Sequence, residues 1–417
     1  MTSLPRTVPL LTNATLPDGR RVDVEISGDE VRAVRAAGTS TPRTDAIDLT
    51  GFVLLTAPAE PHAHLDKARS WDAIDPPMGD LRLAIDSWVA YSATMTIDDI
   101  ADRARAQALD MLGQGTTAIR CHVDLLRGPD PLRGVHALVR VRRELAGLID
   151  IELVALCSVD IPDATIDQAL DLGVDLVGGA PHLAPEPFVE LRRLLAIAHR
   201  RGVGVDLHTD EGLTGVPTLP EFARIVRGWP TSMPATAGHC VRLGTLEPDA
   251  LAEVISEVLA SDIGIVSLPI TNLYLQGWND PVSTPRGLTA LRTLLDRGVR
   301  VGAGADNVRD PFNPVGRGDA LETASLLVTA GHLTLTEAYA AVSSGARSVM
   351  NLPMAGVAIG ARAELLAVRG SGLADVVANA PADRFVIHAG RLVAQSTVHR
   401  SIALPTPVPS EPILEMR

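Results

Sequence analysis

Short, unbroken apolar runs that stop at polar residues recur along most of this chain. They cover residues 116–123, 151–157, 176–181, 203–208, 235–239, 263–268 and 299–306. Continuous rather than alternating hydrophobicity predicts strands covered on both faces. Between the runs, apolar residues fall at three- and four-residue steps. Examples are Ile97, Ile100, Ala104, Ala108 and Met111, or Leu191, Leu194, Leu195 and Ala198. Leu251, Val254, Ile255 and Val258 repeat the spacing, as do Leu288, Leu291 and Leu295. These segments predict helices with one buried face. Thr218-x-x-Glu221, with Pro220 in the first turn, and Thr334-x-x-Glu337 read as capping boxes. With residues 57–64 as the first strand, the pattern gives eight strand–helix units over roughly 300 residues, the usual size of a (β/α)8 barrel. The fold class expected is therefore α/β, a TIM barrel. A doubly wound open sheet is the alternative, but no glycine-rich nucleotide loop follows the first strand.

The two chain ends read differently. Residues 22–26, 31–34 and 52–55 are β-rich and bounded by Gly or Asp clusters. A strand pattern returns after Leu352, at 357–359, 363–368, 375–378, 385–388 and 391–394. The expected organisation is a small β-sandwich domain built from 1–57 and 353–417, beside a barrel of 58–352. Residues 403–412 are proline-rich and read as a surface tail.

Composition narrows the function. At 46% hydrophobic and 21% charged, the 417-residue chain is not a disordered one. No apolar run approaches the ~18–20 residues of a membrane span. The first residues hold only a four-residue apolar stretch, too short for a secretion signal. Three cysteines make no disulfide framework, so a reducing cytoplasm is expected. A net charge of −13 argues against nucleic acid or an anionic membrane as partner. Aromatics at 3% leave few stacking platforms for single strands. A small-molecule substrate is the partner expected, and a homo-oligomer is left open.

The strand ends carry the chemistry, because a barrel presents its catalytic groups there. Strand one ends Glu60-Pro61-His62-Ala63-His64-Leu65-Asp66-Lys67. His62 and His64 are two apart and share a face, which starts a divalent-metal site. Strand five ends His208-Thr209-Asp210-Glu211, strand six His239-Cys240, and strand eight Ala305-Asp306-Asn307. Each alone reads as a solvated strand end or a structural histidine. Together they place four of eleven histidines and an aspartate at barrel strand ends, which points to a metal centre. Imidazole and carboxylate donors suit a borderline divalent metal. Such an ion lowers the pKa of water toward ~7 and supplies hydroxide at neutral pH.

Those motifs resemble the amidohydrolase superfamily, in its cytosine deaminase-like branch, which also includes triazine amine hydrolases. The resemblance spans the chain. It includes Arg120-Cys121-His122-Val123-Asp124, Val177-Gly178-Gly179-Ala180-Pro181-His182, Asn272-Leu273-Tyr274-Leu275-Gln276-Gly277 and Asp306 through Gly316. It implies that His62, His64, His208 and Asp306 hold one metal ion, Zn²⁺ with Fe²⁺ as the alternative. It further implies that Glu211 shuttles protons, that His239 hydrogen-bonds the nucleophile or the substrate, and that Asp306 takes part in catalysis. Family members with two metals bridge them with a group such as a modified lysine on strand four. Strand four here ends Pro181-His182, so one ion is expected.

Candidate substrate contacts are Ser158, His182, Asn272, Gln276 and Phe312. Where cytosine deaminases carry a glutamine after strand three, this chain has Ser158, which lacks the paired amide donor and acceptor. A family histidine after strand seven is Tyr274, and the second aspartate after strand eight is Asn307. Cytosine itself is therefore not the expected substrate. Lys67 reads as a structural or entrance residue. His122 and Asp124 read either as support behind the site or as packing, and Cys240 as a buried small residue. The function expected is metal-dependent hydrolysis of a non-peptide C–N bond in a small cyclic nitrogenous compound, by deamination. The alternatives are a ring-opening cyclic amide hydrolase, an enzyme releasing an N-alkyl amine, and a barrel without catalysis, the last disfavoured by the intact ligand set.

Overall fold

The computed structural model describes residues 4–403. Eight parallel strands follow one another in strict sequence order. They are β1 (Ala59–Ala63), β2 (Ala118–Asp124), β3 (Asp150–Cys157), β4 (Leu176–Gly179), β5 (Val205–Thr209), β6 (Ala235–His239), β7 (Gly264–Ser267) and β8 (Val301–Ala303). A parallel bridge from Ala63 to Asp306 closes β8 onto β1. The barrel interior is packed rather than open. Arg120 on β2 is fully buried there, and its guanidinium meets Glu152 on β3, Asp206 on β5 and Thr236 on β6.

The chain ends build one mainly antiparallel nine-stranded sheet. Phe52–Thr56 pairs with Leu365–Arg369 and joins the two ends. Alternation along these strands serves two cores. Phe52, Leu54, Leu365, Ala367, Ile387 and Leu392 enclose a separate core with Leu11, Val24 and Val31. Their neighbours Val53, Leu55, Leu366, Val368, Val386 and Val393 pack into the large core shared with the barrel. Both faces are covered, so the strands read as continuous apolar runs.

Several sequence expectations need correction. Residues 357–359 form a turn, not a strand, between Gly356 and Gly360, both at positive φ. Residues 375–378 lie in the helix Leu373–Asn379, whose Leu373, Val376 and Val377 reach the main core at helical spacing. Asp375 accepts from Ser371 N and Asn379 Nδ2 and so ties that helix down. Leu288 precedes its helix, which covers Leu291–Asp296. The strand Leu10–Thr15 escaped the pattern because Asn13, at φ 59°, breaks its register. The Thr334–Glu337 capping box forms. The Thr218–Glu221 box does not: the Asp210 carboxylate takes the Thr218 and Leu219 amides, and Glu221 pairs with Arg192. The proline-rich tail, apart from its first residue, lies outside the described residues.

Candidate active site

The C-terminal strand ends converge on one buried cluster. His62 on β1 and His64 just past it project to one side, as their spacing requires. His208 on β5 meets both: its Nε2 is 3.2 Å from Nε2 of His62 and 3.1 Å from Nε2 of His64. Oδ1 of Asp306 lies 3.3 Å from Nε2 of His64 and 3.9 Å from Nε2 of His62. Gly238 leaves room for this packing, since a Cβ there would sit 2.9 Å from the His62 ring. The turns after the strands are sharp. His239 and Asp306 adopt φ of 66° and 59°, left-handed conformations that non-glycine residues hold only when their surroundings enforce them.

The four donors suit a cation. Burial, and repulsion from neighbouring cationic groups, hold His62, His64 and His208 well below the ordinary histidine pKa. Neutral imidazoles are the ligand form. Burial first, then Glu211 and Asp310, push Asp306 well above the ordinary carboxylate range. Both Asp306 oxygens are buried without a hydrogen-bond partner. Donors 3.1–3.3 Å apart match the spacing around one ion with metal–nitrogen bonds of about 2.0–2.1 Å. His62, His64 and Asp306 form one geometrically compatible group, and His62, His122 and His208 a second. His122 is thus part of the cluster and not mere packing. Its ring is 4.0 Å from that of His62, and its Nε2 is 3.4 Å from Asp206 Oδ1.

Glu211 is buried beside this cluster. Its Oε1 is 3.5 Å from Nδ1 of His239, and its Oε2 is 3.9 Å from Nε2 of His182. Burial alone pushes its pKa up to about 8, so the carboxyl keeps its proton at neutral pH. His239 is held neutral mainly by burial. Its Nε2 lies 3.9 Å from Asp306 Oδ2.

A cavity of about 610 Å³ opens over these groups, lined by His64, His208, Glu211, His239 and Asp306 among others. Ser158 and Phe312 also line it, and the Ser158 hydroxyl is engaged with Asp160 at 2.5 Å. Three predicted contacts fall elsewhere. Asn272 is buried and donates from Nδ2 to Nδ1 of His239 at 3.0 Å. Gln276 donates to the Glu211 backbone carbonyl at 2.6 Å and lines a neighbouring cavity with His182. His182 Nδ1 meets the His208 carbonyl at 3.2 Å. Lys67, read from sequence as a structural or entrance residue, is on the main cavity wall with Asp124 and Trp88. Cys240 is fully buried, and burial pushes its thiol well above the ordinary range, so it is inert.

A sequence profile described as "Amidohydrolase family" matches residues 69–398. The chain is 28% identical over 412 residues to the pterin deaminase of Rhizobium rhizogenes, covering 93% of this chain and 94% of that one. It is 26% identical to the N-isopropylammelide isopropyl amidohydrolase of Pseudomonas sp. strain ADP, covering 93% and 98%. Among solved structures, 5-methylcytosine deaminase from Klebsiella pneumoniae, liganded with phosphonocytosine, superposes with a TM-score of 0.85. The sequences share 26% identity, over 94% of this chain and 100% of that one. None of the described helices is long and apolar enough to cross a membrane.

Proposed function

The chain belongs to the amidohydrolase family, and from that premise we propose that it removes ammonia from an amino-substituted nitrogen heterocycle. It is a metal-dependent hydrolase of C–N bonds. The observation that carries the deaminase reading is Glu211: a buried, protonated carboxylic acid on the cavity wall beside three histidines and one aspartate. Residues 58–352 form the hydrolase unit.

His62, His64, His208 and Asp306 would hold the ion. Zn²⁺ is the ion this donor set favours, with Fe²⁺ the alternative. When bound, the ion supplies a hydroxide nucleophile at neutral pH and polarises the substrate. The chain's own groups do the rest. Glu211 gives its proton to a substrate nitrogen, which an amine needs in order to leave. Asp306, with its second oxygen toward His239 Nε2, accepts the proton lost by the attacking water. His239 hydrogen-bonds the oxygen that forms on the attacked carbon. The net reaction is amine plus water to oxo product plus ammonia.

The cavity is much larger than a single pyrimidine ring requires, and the pterin deaminase relative acts on a two-ring substrate. A fused two-ring, pterin-type substrate therefore fits best. The relative named for isopropylammelide supports a second reading, release of an alkylamine. The test is ammonia release by metal-loaded protein across amino-pyrimidines, purines, triazines, cyclic guanidines and pterins. Release from one chemotype, abolished in Glu211→Gln, is expected. Silence on all of them, with alkylamine released from N-alkyl triazines, would replace deamination with the second reading.

A further inference from the structure

Lys67, Asp124 and Trp88 line the cavity but have no part in the chemistry above. Lys67 is buried on the turn after β1, with Nζ 2.7 Å from Asp124 Oδ1 and 3.2 Å from His64 Nδ1. Trp88 Nε1 donates to the other Asp124 oxygen at 2.6 Å, so both oxygens of that carboxylate are engaged. The Lys67 ammonium lies 5.4 Å from the Trp88 ring centroid and 5.9 Å from that of Phe312. Trp88 and Phe312 are both cavity-lining aromatics. The Asp124 carboxylate pairs with the Lys67 ammonium at 2.7 Å.

An ammonium has three hydrogen-bond donors and no acceptor. Asp124 takes one. His64 Nδ1, at 3.2 Å, takes a second. Among the described residues none accepts the third. That donor is open, between two aromatic rings and next to the ligand cluster. The Lys67 charge is already neutralised by Asp124, so an anionic partner is disfavoured. A neutral acceptor on a flat ring matches.

We propose that Lys67 is a substrate-binding residue that donates to a ring oxo oxygen, so that the enzyme selects 2-amino-4-oxo heterocycles over amino heterocycles lacking that oxygen. This deepens the deaminase reading and rests on it for the identity of the ring. The test compares 2-amino-4-oxopteridine with 2-aminopteridine. Calorimetric binding is measured on metal-loaded, full-length Glu211→Gln, which prevents turnover, alone and combined with Lys67→Met or Lys67→Arg.

The parent variant should bind the oxo ring about 10- to 100-fold more tightly, the worth of one hydrogen bond to a charged group. Lys67→Met should abolish that preference, and Lys67→Arg should keep most of it. If Lys67→Met weakens both rings equally and leaves the ratio intact, or if the parent shows no preference, the assignment is overturned. Ammonia release by wild-type protein is scored separately. A preference lost in Lys67→Met, without ammonia from either ring, supports Lys67 as the binding group and rejects deamination. Ammonia from both rings, with no preference in binding, does the reverse.

Discussion

Asn272 fixes which nitrogen of His239 faces the reaction. Its Nδ2 donates to Nδ1 at 3.0 Å, so Nδ1 is an acceptor and the ring proton sits on Nε2. Nε2 is the atom on the Asp306 side. Asn272 was expected to touch substrate; the structure puts it behind His239 instead. Asn272→Ala should lower kcat by about 10²-fold with little change in KM, the low end for disturbing a proton-handling group. Asn272→Asp, which accepts where the amide donated, should favour the opposite tautomer and do at least as much damage. Steady-state kinetics decide this. A rise in KM at constant kcat would instead return Asn272 to the substrate contacts.

Metal retention separates two roles that activity alone cannot. Asp306→Ala removes a carboxylate from the donor set and should lose both activity and stoichiometric metal. Glu211→Gln should lose activity by about 10²- to 10⁴-fold, the range for a general acid, while holding metal at wild-type stoichiometry. Elemental analysis of the purified variants is the measurement. Full metal in Asp306→Ala would remove Asp306 from the ligand set and leave the ion to the histidines alone.

The barrel was legible because its strands are buried on both faces and end at functional groups. His62, His64, His208, Glu211, His239 and Asp306 all stand at or just past those ends; five of them line one cavity, and His62 is buried against His208 behind it. What the sequence hid depends on distant partners. Lys67 meets a carboxylate 57 residues away, and that carboxylate meets a tryptophan 36 residues before it. No local pattern encodes either contact. The helix Leu373–Asn379 was hidden for a different reason. Seven residues rich in Val and Ala satisfy strand and helix patterns alike, and packing against the barrel decided between them.

The helix after β5 offers a stability test of the same kind. Sequence spacing assigned its cap to Thr218 and Glu221, yet Asp210 accepts from the Thr218 amide, the Thr218 hydroxyl and the Leu219 amide at 2.8–3.1 Å. Asp210→Ala should therefore destabilise the protein by about 1–2 kcal/mol, the upper range for a lost cap. Glu221→Ala loses only surface ion pairs and should cost less than about 0.5 kcal/mol. Urea unfolding of the two variants checks the order. A larger loss in Glu221→Ala would restore the capping box.

The proton on Glu211 sets the alkaline side of the pH profile. Burial raises its pKa from 4.5 to about 8, so the acid form that donates to the leaving nitrogen predominates below pH 8 and is depleted above it. kcat should hold through neutral pH and then fall about tenfold per pH unit above about 8. The same shift has a sign for folding. A carboxyl whose pKa is higher in the folded state binds more protons there, so its contribution to stability is complete below pH 4.5 and is lost as pH rises through about 8. Glu211→Gln has no such proton to lose. Its melting temperature should fall less than that of wild type between pH 6 and pH 9. Parallel melting curves for the two proteins across that range would show that Glu211 is already ionised at neutral pH, and the proton donor would have to be sought elsewhere in the cavity.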